Sequence, residues 1–447
     1  MPGCSTNKLT LDGSGMKKTA LIIVTLDTKG PEALFLRKVL ERRGVRGLVM
    51  DTGIFPSYYG EGDIGRHDVA LAGGRSVEEL IAAEDRGEAI RTMMNGAAAL
   101  TRSLYDGGKI QGVLSLGGAQ GTLIGTTAMR GLPVGVPKVM VSTMASGDRP
   151  FEMYVGTSDI TLIHSVVDFF GLNPILKRIL TNAAGATAGM ITAGTVREGK
   201  RDQIAVTIYG TTTPAGMRIV ALLRKAGYDA VAFHPNGVGG RSMEAMIRQG
   251  MFRGVIDLTT HELIDELAGG EHAAGPNRLE AASAMGIPQV ICPGATDYIV
   301  AGPFAGLKGA FKRRKTLMHN PKMTFVRPSD REMTLLGETM ARKVNRSRGN
   351  TVIVVPAKGF SYPNHEGRPL YNPTGVRAFV RGLQGAIGPS IPVRVLPLHI
   401  NDEGFAVAVV DEFEKLVNPP KGKHRRQPRS REDEVHHIKP FMPDRSA

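Results

Sequence analysis

Tryptophan is absent, cysteine occurs twice, and aromatic residues make up only 5% of the 447 positions. Two cysteines, Cys4 and Cys292, build no disulfide framework and match no metal-ligand spacing. The expectation is therefore a reduced, cytoplasmic setting with no metal assigned. No run approaches the roughly 20 apolar residues of a membrane span. The opening MPGCSTNKLTLDGSGMKK also lacks the apolar stretch of a secretory signal. Scarce aromatics argue against single-stranded nucleic acid as a partner, because bases stack on rings interleaved with basic residues. The net charge of +14, concentrated at KRRK (312–315), RKVNRSR (342–348) and the tail, is thus read as solvated surface or small-anion contact.

What is present is an alternation of short β-rich runs with longer helical ones, the pattern of an α/β protein with mostly parallel sheets covered by helices. The first half offers strands at ALIIVT (20–25), GLVMD (47–51), GVLSL (112–116), KVMVS (138–142) and EMYVG (152–156). The second offers QIAVTI, DAVAFH, GVIDL, QVICPG, TFVRP, TVIVVP and VRVLPLH. Between them, SDITLIHSVVDFFGLNPILKRILTNAAGATAGMITAG reads as helical, with Ser158 as a candidate N-cap. A faint repeat relates the halves: Pro31 falls opposite Pro214, Leu40 opposite Leu223, Gly44 opposite Gly227, and Asp51 opposite His234. In each copy Pro opens a helix and Gly closes it. The charged connector VREGKRDQ (196–203) marks the boundary. Four segments result: a disordered leader (1–17), one subdomain (18–198), a second (199–417), and a disordered basic tail (418–447).

In open parallel sheets, ligands bind beyond the carboxyl ends of the strands, so the residues following each strand carry the functional reading. After the third strand, LGGAQGT places Gly117, Gly118, Gly121 and Thr122 before a helix. Glycines there let backbone N–H groups approach an anion at the positive helix end. YGTTTPAGM repeats the device with Gly210, Thr211, Thr212 and Thr213, Thr213 being the expected cap. HPNGVGGRSME adds Gly239, Gly240 and Arg241, whose guanidinium suits phosphate or carboxylate. Lys29, in LDTKGP, is the lysine at the first strand's end. Neither a Walker lysine motif nor a correctly placed dinucleotide fingerprint occurs. Acid–base candidates are His234, Asp257, His261, Glu262, Asp297, His365, Glu366, His399 and Asp402. Of these His234, His261, His399 and Asp402 are singled out, since they follow neighbouring strands. The polar loop PAKGFSYPNHEGRPLYNP (356–373) is long enough to be functional.

Ten ordered motifs, among them VTLDTKGPE, GGAQGT, YVGTSDIT, SVVDFFGLN, GTTTPAGM, FHPNGVGGRSME and GVIDLTTHEL, resemble the Tm-one-like ATP-binding family over residues 18–417. The resemblance implies two Rossmann-like three-layer αβα subdomains, a homodimer, and ATP with Mg²⁺ as ligand. The sequence departs from it at Pro235 and Asn236, where the family carries small residues, and lacks the partner domain fused in the plant member. The functional expectation is a nucleotide held by strand-end loops in the cleft between the subdomains, with catalysis on a small anionic metabolite. Two alternatives stay open: a non-catalytic nucleotide-binding interaction module, and an enzyme using a nucleotide sugar or phosphorylated substrate.

Overall fold

A computed structural model describes residues 17–147, 151–193, 202–347 and 350–418. The expected leader and basic tail fall almost wholly outside these residues, as does most of the connector.

The first lobe is a five-stranded parallel sheet in the order β2-β1-β3-β4-β5. Its strands are β1 (Thr19–Val24), β2 (Arg46–Asp51), β3 (Gly112–Gly117), β4 (Lys138–Ser142) and β5 (Thr161–His164). Side chains alternate between the faces of a strand, and β1 uses both. Ala20, Ile22 and Val24 face α1 (Leu26–Arg42) and α7 (Pro174–Thr192). Leu21 and Ile23 face α2 (Arg66–Ala72), α3 (Val77–Ala82), α4 (Arg86–Asp106) and α5 (Ala119–Arg130). With helices on both faces the lobe has three αβα layers, and the central strand β1 is almost continuously apolar for that reason.

The second lobe repeats the plan with six parallel strands in the order β14-β13-β9-β8-β6-β7. These are β6 (Gln203–Thr207), β7 (Asp229–Phe233), β8 (Gly254–Asp257), β9 (Gln289–Ile291), β13 (Thr351–Pro356) and β14 (Val393–Leu396). On one face α8 (Thr213–Lys225) and α15 (Glu403–Val417) cover Ile204, Val206 and Ile256. On the other lie α9 (Val238–Arg248), α10 (Glu262–Ala268), α11 (Ala281–Met285), α13 (Asp330–Val344) and α14 (Pro373–Ala386). A small antiparallel sheet of β10 (Ile299–Ala301), β12 (Met323–Val326) and β11 (Thr316–Asn320) accompanies it, with α12 (Gly309–Lys312) between β10 and β11. The repeat's punctuation has a geometric basis: Gly44 and Gly227 both take the left-handed conformation, at φ 79° and 94°.

Several local expectations are corrected. EMYVG is no strand; Glu152–Val155 form the short helix α6, stopped at Gly156 by φ 52°. The fifth strand is TLIH instead, inside the run read as helical. It is an edge strand paired with β4 alone, half-buried throughout, so its apolar signal is weak. The true helix begins at Pro174, capped by Asn173 rather than Ser158. TFVRP lies in the antiparallel sheet, outside the parallel one. Thr213 is the first helical residue of α8, after a 3₁₀ turn over Gly210–Thr212, and not its cap.

Candidate functional site

In the first lobe the chain leaves β1 for β2 on one side and reaches β3 on the other. Ligand crevices form at this change of direction. A cavity of about 880 Å³ lies there, lined by Thr25, Asp27, Thr28 and Lys29 after β1, Thr52 to Phe55 after β2, and Gly118 to Gly121 at the start of α5. Leu80, Ile81, Ala89, Ile90 and Met93 of α3 and α4 make an apolar wall, with Glu84 and Asp85 between those helices and Arg86 opening α4. Asp51 ties the rim together: its Oδ1 accepts from Leu26 N at 3.0 Å and Gly53 N at 2.8 Å. Burial pushes the Asp51 carboxyl up, and these two bonds oppose the shift. Lys29 sits where α1 kinks, at φ −133° and ψ 29°. Its Nζ donates to Thr28 Oγ1 at 3.1 Å.

The glycines of LGGAQGT differ in purpose. A Cβ on Gly117 would fall 2.7 Å from Gly121 Cα, so that glycine is required by the turn. Gly118 caps α5 at an ordinary φ of −76°, and a Cβ there would meet only Thr143 Oγ1 at 3.8 Å. Thr122 is buried, its hydroxyl 2.6 Å from Ser142 Oγ and 2.7 Å from Gly118 O. Of the first-lobe residues singled out, Lys29, Gly118 and Gly121 line the cavity, while Gly117 and Thr122 brace the turn.

The equivalent mouth of the second lobe is filled. Gly237 N and Gly240 N donate to Glu262 Oε1 at 2.8 and 3.0 Å, so the glycine loop already holds an anion supplied by the chain. A Cβ on Gly240 would lie 1.8 Å from Glu262 Oε2, and one on Gly239 1.9 Å from His234 O. Arg278, 1% exposed, binds that carboxylate through Nε at 2.6 Å and grips Asp257 with both terminal nitrogens at 2.6 and 2.8 Å. Glu244 joins from α9, accepting from Leu279 N and Ala281 N at 2.7 Å each. Burial alone would lower the Arg278 pKa, but its three carboxylate neighbours outweigh that and hold it well above the ordinary value.

The threonines are similarly occupied. Thr211 Oγ1 bonds Tyr298 Oη at 2.9 Å, Thr212 Oγ1 bonds Thr259 Oγ1 at 2.8 Å, and Thr213 Oγ1 donates to Tyr209 O at 3.0 Å. Gly210 is exposed, with open space where a Cβ would stand. Arg241 donates to Gly237 O at 2.8 Å and pairs with Glu152 of the first lobe.

His234 and His261 both stack on Tyr209, at ring separations of 4.7 and 5.2 Å, with His272 edge-on at 5.9 Å. His399 belongs to a different group: its Nε2 donates to Ser361 O at 3.0 Å, and its ring meets His365 at 4.9 Å. Asp402 Oδ2 accepts from His399 N at 2.8 Å. Asp297 is buried, accepting from Phe360 N and Asn364 Nδ2. Burial raises its pKa and lowers that of His399. Arg278, Tyr209, His272 and Tyr298 are the residues that sequence reasoning missed. A lone arginine in GPNRLE carries no spacing that would have found it.

Among the described residues, no helix is long and apolar enough to cross a membrane. Two family models match: "Uncharacterised protein family (UPF0261) N-terminal domain" over residues 18–195 and its "C-terminal domain" over 201–417. A UPF0261 protein of Clostridium tetani (strain Massachusetts / E88) is 41% identical over 406 residues, covering 90% of this chain and 99% of its own. A Rhizobium meliloti (strain 1021) relative is 35% identical over 405 residues, covering 90% and 100%. The ToMV resistance protein Tm-1(GCR237) of Solanum lycopersicum is 37% identical over 351 residues, which is 76% of this chain and 46% of that protein. Matched in both halves, and aligned over 90% of its length with the Clostridium tetani relative, the chain belongs to the UPF0261 family, which includes Tm-1 homologues.

Proposed function

We propose that the first-lobe cavity binds a nucleotide of the ATP class, with Mg²⁺, and that the chain acts there on a small anionic metabolite. The observation that supports this is the about 880 Å³ cavity at the sheet's change of direction, opening on the N-terminus of α5. Ligand pockets run to roughly 300–1,000 Å³. The amides of the first turn of α5, which a helix leaves without intrahelical partners, offer the phosphate seat, while Lys29 and Arg86 supply positive charge. The α3–α4 wall and Phe55, a large exposed apolar side chain, suit a base. Asp27, Glu84 and Asp85 outnumber Lys29 and Arg86 around the cavity, so a bare polyphosphate is repelled and the magnesium complex favoured. Gly118 adds support, because neither its backbone angle nor its neighbours demand a glycine.

The test is calorimetric titration with ATP, a non-hydrolysable analogue and a nucleotide sugar, each with and without Mg²⁺. Magnesium-dependent ATP binding, weakened by Lys29→Ala, is expected. No heat from ATP at millimolar concentration would overturn the reading. Preference for the nucleotide sugar would move it to the alternative substrate class. Product analysis with the analogue as control then decides between turnover and binding alone.

A further inference from the structure

We propose that His261, Asp265 and His272, at the strand-end mouth of the second lobe, form a binding site for a divalent transition metal such as Zn²⁺. One ligand atom from each lies within 4.8 Å of the others. The decisive observation is the setting of His261, which is fully buried. Its Nδ1 stands 2.6 Å from Ala295 O, and a carbonyl only accepts, so the proton is on Nδ1. Nε2 is then the ring nitrogen that faces the cluster. It lies 3.3 Å from Asp265 Oδ2, a contact without hydrogen-bond geometry. A buried ring nitrogen facing a carboxylate oxygen needs a positive charge between or on them, and either a metal ion or a second proton on His261 supplies it.

Each of the three side chains is also held by a separate partner that leaves a donor atom available. Ala295 O orients His261. Val300 N and His272 N donate to the two oxygens of Asp265, at 3.0 and 2.9 Å. Tyr209 Oη meets His272 Nδ1 at 2.8 Å. Bonds of this kind, which fix ring orientation and raise ligand basicity, accompany metal-binding histidines. Two imidazoles and one carboxylate select zinc-like metals over Mg²⁺ or Ca²⁺, which take oxygen ligands. Three protein ligands leave a fourth position open, and half-buried His272 gives it a path to solvent. None of these residues lines the first-lobe cavity, so the site stands independently of the nucleotide reading.

The experiment uses full-length protein stripped with a chelator, in the absence of nucleotide. One equivalent of Zn²⁺ should bind and raise Tm, Co²⁺ should give visible d–d bands of low-symmetry coordination, and Mg²⁺ should do neither. His272→Ala, at a half-buried position, should keep the far-UV spectrum and weaken Zn²⁺ at least about tenfold. His261→Gln provides a second reading should His272→Ala fail to fold. Zn²⁺ bound equally well by both variants overturns the proposal, since the metal would then be held elsewhere in the chain. So does a wild-type protein that binds no Zn²⁺ and whose ¹⁵N shifts show His261 protonated on both nitrogens.

Discussion

The two lobes share one winding, with β1 between β2 and β3 in the first and β6 between β7 and β8 in the second. They part company at the point where that winding reverses. In the first lobe the reversal opens into a cavity of about 880 Å³. In the second, Glu262 fills the amide cradle and Arg278 locks it to Asp257 and Glu244. One plan therefore yields an open cavity in one lobe and, in the other, a mouth closed by an internal anion. Glycine has opposite meanings in the two: at Gly240 it makes room for a carboxylate already present, whereas at Gly118 it leaves room unused.

This contrast is sharpest at Arg278. Arg278→Met leaves three buried carboxylates without their cation, and removing one partner of such a group costs about 3–5 kcal/mol. Urea unfolding should show that loss, while nucleotide affinity of the folded fraction is unchanged. Gly240→Ala comes next. Its Cβ collides with Glu262, which is itself held, so about 1–3 kcal/mol of overpacking strain is expected in the same assay. Gly118→Ala should do the reverse, costing about 1 kcal/mol or less as a poorer cap while lowering ATP affinity at least about tenfold by calorimetry. Equal destabilisation by the two alanines would erase the distinction between the mouths.

Thr211→Val removes one hydroxyl partner of Tyr298, an effect of about 1 kcal/mol on stability, and should leave ATP affinity alone. The smallest effect is one of pH. Burial depresses the His399 pKa below its ordinary 6.5. The unfolded chain then binds the proton more readily, so stability present above that pH is lost as pH falls through the folded value. His399→Gln should flatten this part of the stability profile, as followed by thermal unfolding at stepped pH.

The alternation of apolar runs made the layered architecture legible, and the Pro and Gly punctuation made the repeat legible. Strand-end loops could be located for the same reason, since each follows a buried run. What each loop holds was not legible. HPNGVGGR and LGGAQGT read alike because both expose backbone amides at a helix start. The carboxylate that fills the first, Glu262, arrives 22 residues after Gly240 on another element. The weak edge strand β5 escaped notice because it is buried on neither face completely, while EMYVG had the residues of a strand without a neighbour to pair with.

The rings around Tyr209 extend further, through His261 to Tyr298 at 5.0 Å, Phe325 at 4.2 Å and His319 at 4.7 Å. In a chain without indole, light emitted near 300 nm comes from its phenols alone. Two of these phenols belong to that column, so quenching or recovery of the intrinsic luminescence reports events at the second lobe's mouth without any label attached.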